Sequence, residues 1–263
     1  VRSECRDCHL VMSTDDILCA LNMAIKALAD SDDNIDNIIN DIKAFSRLTY
    51  KSVYIIDYYK QNFLYVSDNP LFLCGLSPEE VKELGYNFYI NNVPEEDLDF
   101  LLEINVAGFK FLKDIPREEK RDYTISYCFN IINKHTKKKQ LINHQITPLR
   151  LTKSGDIWLA MCVASIPSNG TIGDIIMSHE GSNARWIYNR LSKKWKIMPQ
   201  IELKEIERDV LKYSTMGYTM AEIAELVHRS FDTIKAYRKN ILEKLDAENI
   251  TEAINISMNN KLI

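Results

Sequence analysis

Nowhere in its 263 residues does the chain hold a run of eighteen apolar residues, so it offers no candidate for a membrane-spanning helix. The opening VRSECRDCHL lacks the apolar core of a secretory signal, which points to a cytoplasmic protein. No second C-x-x-C accompanies Cys5 and Cys8, which leaves a zinc site two ligands short. No glycine-rich loop suited to cradling phosphate stands out, and no nucleophile–base pair does either. An enzyme is therefore not expected, and no cofactor is called for. Strong charge of one sign is missing too, and the net −4 says little beyond solubility.

What is present suits a globular chain of one large or two ordinary domains. Hydrophobic residues make up 46% and charged residues 27%, enough to bury real cores. The six cysteines, Cys5, Cys8, Cys19, Cys74, Cys128 and Cys162, lie mostly among apolar neighbours, as reduced thiols do. Cys5-Arg6-Asp7-Cys8-His9 fits the haem-attachment pattern. That attachment takes place in an export compartment, so the segment reads as a frayed terminus.

Residues 1–46 read as helical. Ile17, Leu18, Leu21, Ile25 and Leu28 make one apolar stripe, and Ile35, Ile38, Ile39, Ile42 and Phe45 make a second. Residues 47–167 read as α+β. SVYIIDYY and FLYVS form a hairpin about Lys60-Gln61-Asn62. Asn69 to Cys74 suits a short helical turn. Ser77-Pro78-Glu79-Glu80 is a capped helix start, and Asn92-Val93-Pro94-Glu95-Glu96-Asp97 opens another in the same way. Three β-rich runs follow, DYTISYCFNII, QLINHQITPLRL and DIWLAMCVASI. Residues 168–200 read as a β-rich linker whose Arg185, Arg190, Lys193, Lys194 and Lys196 lack acidic neighbours.

Residues 201–263 carry a series of short helices. Leu203, Ile206, Val210, Leu211 and Tyr213 recur at helical spacing, and Gly217 stops that helix. Thr219-Met220-Ala221-Glu222 is a capping box for a second, with Ile223, Ala224 and Val227 on its buried face. Ser230 caps a third. On that helix Ile234, Ile241 and Leu245 share one side, with Tyr237 at its edge. Asp232, Lys235, Ala236, Lys239 and Glu243 share the other. A small central residue between cations suits a helix that enters the major groove. From Ile201 onward nine Lys or Arg face eleven Asp or Glu, so positive charge is confined to this narrow face.

The parts Leu203, Glu207, Val210-Leu211, Gly217, Ala221-Glu222-Ile223-Ala224, Ser230-x-x-Thr233-Ile234-Lys235, Lys244-Leu245 and Thr251-Glu252-Ala253-Ile254 resemble the LuxR-type (GerE) helix-turn-helix family. The chain departs from its pattern at Arg229, Tyr237 and Ile250. The resemblance implies an all-α domain binding double-stranded DNA, a homodimer paired through the helix from Asn249 to Asn260, and RNA polymerase as a further partner. Lys235, Ala236 and Lys239 would then face bases. Arg229, Ser230, Thr233 and Arg238 would hold the turn and the backbone.

Asn69, Gly75-Leu76-Ser77-Pro78-Glu79-Glu80-Val81 and Val93-Pro94-Glu95-Glu96-Asp97 resemble the PAS sensor domain. That implies a five-stranded antiparallel sheet with helices, whose concave face is suited to a small ligand, haem or flavin. His144 lies on a strand and can face either way, His135 sits in a lysine-rich turn, and Cys74 lacks the flanks of a flavin-reactive cysteine. A phosphoreceiver would need an apolar strand before Asp15-Asp16 or a Lys-Pro after Asp57, and has neither. The expectation is a DNA-binding transcription regulator with a sensing or dimerising PAS-like domain. The alternative is a sensor or interaction module whose helical tail binds a protein.

Overall fold

The computed structural model describes residues 35–167, 175–182, 184–199, 201–260 and 262–263. The C-x-x-C-H pentapeptide, the first apolar stripe, Asp15-Asp16 and Cys19 lie outside them. Contacts divide the chain into two units, the first ending at Lys196 and the second running Ile197–Ile263. Among the described residues, no helix is long and apolar enough to cross a membrane.

The first unit is built on one mixed-order sheet. Helix α1 (Ile35–Ser46) precedes the hairpin β1 (Ser52–Asp57) and β2 (Asn62–Val66). Helices α2 (Pro70–Leu73), α3 (Pro78–Leu84), α4 (Asn87–Asn92) and α5 (Glu95–Lys113) follow. Strands β3 (Tyr123–Ile132), β4 (Lys139–Leu151) and β5 (Ile157–Ser165) form an antiparallel meander, and β5 returns to pair with β1. Then β6 (Ile176–His179), β7 (Arg185–Asn189) and β8 (Lys194–Ile197) extend the sheet beyond β3. The strand order is β2-β1-β5-β4-β3-β6-β7-β8.

The five strands expected are therefore joined by three more, and residues expected to act as a β-rich linker are part of the sheet. The outer edge of β3 has hydrogen-bonding groups to satisfy, and β6 pairs with it from Tyr123 to Ser126. Trp186 and Trp195 then pack edge-on against Phe111 of α5, at 5.4 and 5.1 Å. Arg190, expected to be free, ion-pairs with Glu103 at 3.1 Å and lies 4.8 Å over the Phe100 ring.

Alternation along the strands gives the sheet two apolar faces. Tyr54, Ile56, Tyr127, Phe129, Ile142, Ile146 and Cys162 pack against Phe72, Phe88, Phe100 and Ile104 of the helices. On the opposite face Ile55 and Leu159 take Ile38, with Ile35, Ile39 and Ile42 beside it. Phe45, the last member of the expected stripe, is 45% exposed, and in that last turn it is the Ser46 hydroxyl that meets the sheet, at Tyr65 of β2 at 2.7 Å.

Local signals hold most elements in place. Ser77 and Glu80 close a capping box on α3, and Asn69 caps α2. Gly75 sits at φ +85, where a side chain would run into His135 at 2.8 Å. The cap expected at Asn92 does not form. Pro94 occupies the cap position of α5, and the Asn92 side chain instead donates to the Phe88 carbonyl at 2.8 Å. A buried Asp97 carboxylate does the anchoring, accepting from the Asn130 N–H and side-chain amide at 2.8 and 2.9 Å. Asp57, also fully buried, accepts from Tyr59 and Lys60 N–H groups and so shapes the β1–β2 turn. Cys74, Cys128 and Cys162 are buried and outside any disulfide. Burial pushes the Cys74 thiol up to about 12, and its residue caps α2 at φ 54.

His144 faces inward. Its Nδ1 meets the Tyr127 hydroxyl at 2.8 Å, its Nε2 meets the Tyr54 hydroxyl, and Tyr54 continues to Tyr89 at 3.3 Å. Both ring nitrogens are thus occupied by protein, which leaves neither for a metal. Burial lowers its pKa to about 3, well below the 6.5 of the unfolded chain. Between about pH 6.5 and pH 3 the unfolded chain therefore binds a proton that the fold refuses. Stability is present above that window and falls through it at about 1.4 kcal/mol per pH unit. Urea unfolding at pH 7 and pH 5 is expected to show this loss, and His144→Gln to be weaker at pH 7 but flatter by about one proton. An equal slope in the variant would refute it.

Candidate nucleic-acid interface

The second unit packs four helices on one small core. These are α6 (Glu205–Thr215), α7 (Met220–Leu226), α8 (Phe231–Leu245) and α9 (Ile250–Asn259). Leu203, Val210, Leu211, Ile223, Ala224, Ile234, Ile241, Leu245 and Ala253 are its buried members. Gly217 ends α6 at φ +87. Thr219 and Glu222 close the capping box of α7, and Asn249 caps α9 through the Glu252 N–H at 3.0 Å.

The turn between α7 and α8 is short. His228 adopts φ +51, the Arg229 N–H returns to the Ala224 carbonyl at 2.9 Å, and the Ser230 hydroxyl accepts from the Thr233 N–H at 3.2 Å. The Thr233 and Ser230 hydroxyls also meet at 2.8 Å. Arg229 and Ser230 thus stand exposed at the turn, and Thr233 is half-buried behind them.

Between α6 and α8 lies a half-buried ion pair. The Glu207 side chain is 1% exposed, accepting from the Lys244 ammonium at 2.7 Å and from the Lys204 N–H at 2.8 Å. Lys244 also donates to the Glu202 carbonyl at 2.9 Å. Although Lys244 lies among the basic residues of α8, it is spent on this structural contact. Sequence spacing alone does not show that.

The outward face of α8 comes out as its periodicity predicts. Ile234, Ile241 and Leu245 are buried, while Asp232, Lys235, Ala236, Lys239 and Glu243 are exposed. Tyr237 and Arg238 are half-buried, with Tyr237 packed on the core. Lys239 pairs with Glu243 at 3.6 Å, a solvated contact one turn apart that an incoming phosphate or base edge can displace. The structure thus gathers Arg229, Ser230, Thr233, Lys235, Ala236, Arg238 and Lys239 onto one turn and one helix. Ile250, where an arginine would be usual by resemblance, packs on the core.

Residues 203–257 match the family described as bacterial regulatory proteins, luxR family (GerE). The second unit is a LuxR-type helix-turn-helix domain. The transcriptional activator protein BglJ of Escherichia coli (strain K12) is 34% identical over 64 residues, 24% of this chain and 28% of BglJ. The shared stretch is thus little more than a quarter of that relative's length, and it is close to the size of the LuxR-type domain. Two solved structures align over most of the chain at low identity. The phage VqmA–DPO complex is 18% identical over 86% of this chain and 88% of that one, with a TM-score of 0.32. A Vibrio cholerae VqmA dimer is 14% identical over 83% and 86%, with a TM-score of 0.33. Superposition at that level does not establish a common whole-chain fold.

The ion pair under the LuxR-type domain generates a stability prediction. Lys244→Ala leaves the buried Glu207 carboxylate without its cation, with an expected loss of about 1–2 kcal/mol, less than for a fully buried pair because the lysine is a third exposed. Calorimetry of the full chain should show the C-terminal transition displaced downward, and an unmoved transition would rule the pair out as an anchor.

Proposed function

We propose that this protein is a cytoplasmic transcription regulator that binds duplex DNA as a homodimer through its LuxR-type domain. The observation that carries the reading is the outward face of α8, where Ala236 permits close approach between the exposed amines of Lys235 and Lys239. Those three residues face the bases. Arg229, Ser230, Thr233 and Arg238 hold the turn and the phosphates. The exposed side of α9, with Thr251, Asn255 and Met258, serves the two-fold contact. RNA polymerase is the further partner that the resemblance implies.

The first unit senses. A helical layer between β2 and β3, with the order β2-β1-β5-β4-β3, supports the PAS-like reading. A cavity of about 30 Å³ lies between α5 and the sheet, lined by Tyr58, Ile104, Gly108, Phe109, Tyr123 and Ile146 among others. That volume holds about one water-sized group, and a larger apolar ligand needs rearrangement of the lining side chains. Helix α5 also carries Phe100 and Glu103, which hold Arg190 in the β7–β8 hairpin leading into the LuxR-type domain.

The test is a gel-shift titration of the full chain on a duplex selected from a random library, at several salt concentrations. Lys239→Ala is expected to weaken binding and lower the salt slope by about 0.9, the contribution of one released counterion. The helical content should be unchanged. Unaltered binding by Lys239→Ala would remove that residue from the interface. A wild-type chain that binds no duplex would instead favour a tail that recognises protein.

A further inference from the structure

The head of α8 carries an aromatic ring that the domain does not use for its own packing. Phe231 is the first residue of the helix and is 47% exposed. Among the described residues it is not one of the apolar side chains packed on the C-terminal core, whereas Val227, Ile234 and Tyr237 on either side of it in sequence are. Its neighbours Arg229, Ser230 and Asp232 are exposed polar groups. The first helical position favours proline or an acidic residue, so helix stability gives no reason for phenylalanine there.

The position of the ring on the helix suggests a reason. Phe231 lies four residues before Lys235, so the ring stands one turn ahead of that amine, on the flank of the outward face. The N-terminal residues of a recognition helix are those that contact base edges. An apolar ring carried into the major groove meets one apolar group there, the C5-methyl of thymine. Every other feature displayed by the base edges is a hydrogen-bond donor or acceptor.

We propose that Phe231 is a specificity-determining residue that reads a thymine methyl in each half-site. The proposal rests on the LuxR-type domain binding DNA as argued above. Lys235 and Lys239 supply attraction that phosphates of any sequence provide, whereas Phe231 discriminates between T·A and the other pairs at its own position.

The experiment uses the full chain and a duplex selected by it from a random library. Single thymines are replaced by 2′-deoxyuridine, which removes the methyl and leaves base pairing intact. One thymine per half-site is expected to weaken wild-type binding about fourfold on replacement, the value of one buried methyl. Phe231→Ala should bind the unmodified duplex more weakly by a similar factor and be indifferent to that replacement. Phe231→Leu, which keeps an apolar side chain, should retain part of the sensitivity. Circular dichroism of both variants should match wild type, because the ring is outside the core. Phe231→Ala with undiminished affinity, or with the wild-type pattern of deoxyuridine sensitivity, would overturn the assignment. If Lys239→Ala loses binding in that same case, DNA binding stands and only the role of Phe231 falls. A wild-type chain that binds no duplex overturns both.

Discussion

A carboxylate removed from water has to be matched by a cation and by N–H groups, or its burial works against the fold. Glu207 meets that condition at one oxygen, where Oε2 takes the Lys244 ammonium and the Lys204 N–H, while Oε1 is buried without a partner. Lys204 heads α6 and Lys244 lies near the end of α8, so the pair joins one helix start to the far end of the other. With Ile234, Ile241 and Leu245 turned to the same core, rotation of α8 about its axis is removed. The outward residues Lys235, Ala236 and Lys239 are presented because the opposite side of the helix is held. The exposed cationic face of α8 is in this sense a by-product of packing.

Similar buried polar anchors organise the first unit. Asp97 ties the start of α5 to β3, and His144 joins Tyr54 and Tyr127 across the aromatic inner face of the sheet. Each is fully hydrogen-bonded on the atoms that face the core, which is why charge or polarity is tolerated there. Helix α5 is the common element. It carries Asp97 at one end, lines the cavity with Ile104 and Gly108, and holds the β7–β8 hairpin through Phe100 and Glu103. The pocket and the anchor of the β7–β8 hairpin therefore share one helix.

Local chemistry was the readable part. Ser77 with Glu80, Thr219 with Glu222, and Ser230 form the caps their spacing predicts, because a cap involves only residues three positions apart. Gly217 stops α6 for an equally local reason. Asn92 misled because the proline after it already starts α5, which leaves the asparagine side chain to return to its own helix. Phe45 misled because periodicity does not say which residue of a last turn meets the sheet, here Ser46 through Tyr65. The alternating pattern of residues 176–197 marked strands but not their neighbours, since pairing to β3 depends on an edge that is distant in sequence.

The sequence by itself determined most of the segments, most of their caps and the amphipathic character of α8. Those properties follow from periods of two and of about 3.6 residues and from short-range hydrogen bonds. Only the tertiary structure decided that the sheet has eight strands and that Arg190 is bound to α5. The same holds for His144, inward and closed by two tyrosines, and for Lys244, a structural lysine among basic neighbours. A charge or a ring acquires its role from what packs against it, and those partners lie from 17 to 90 residues away along the chain.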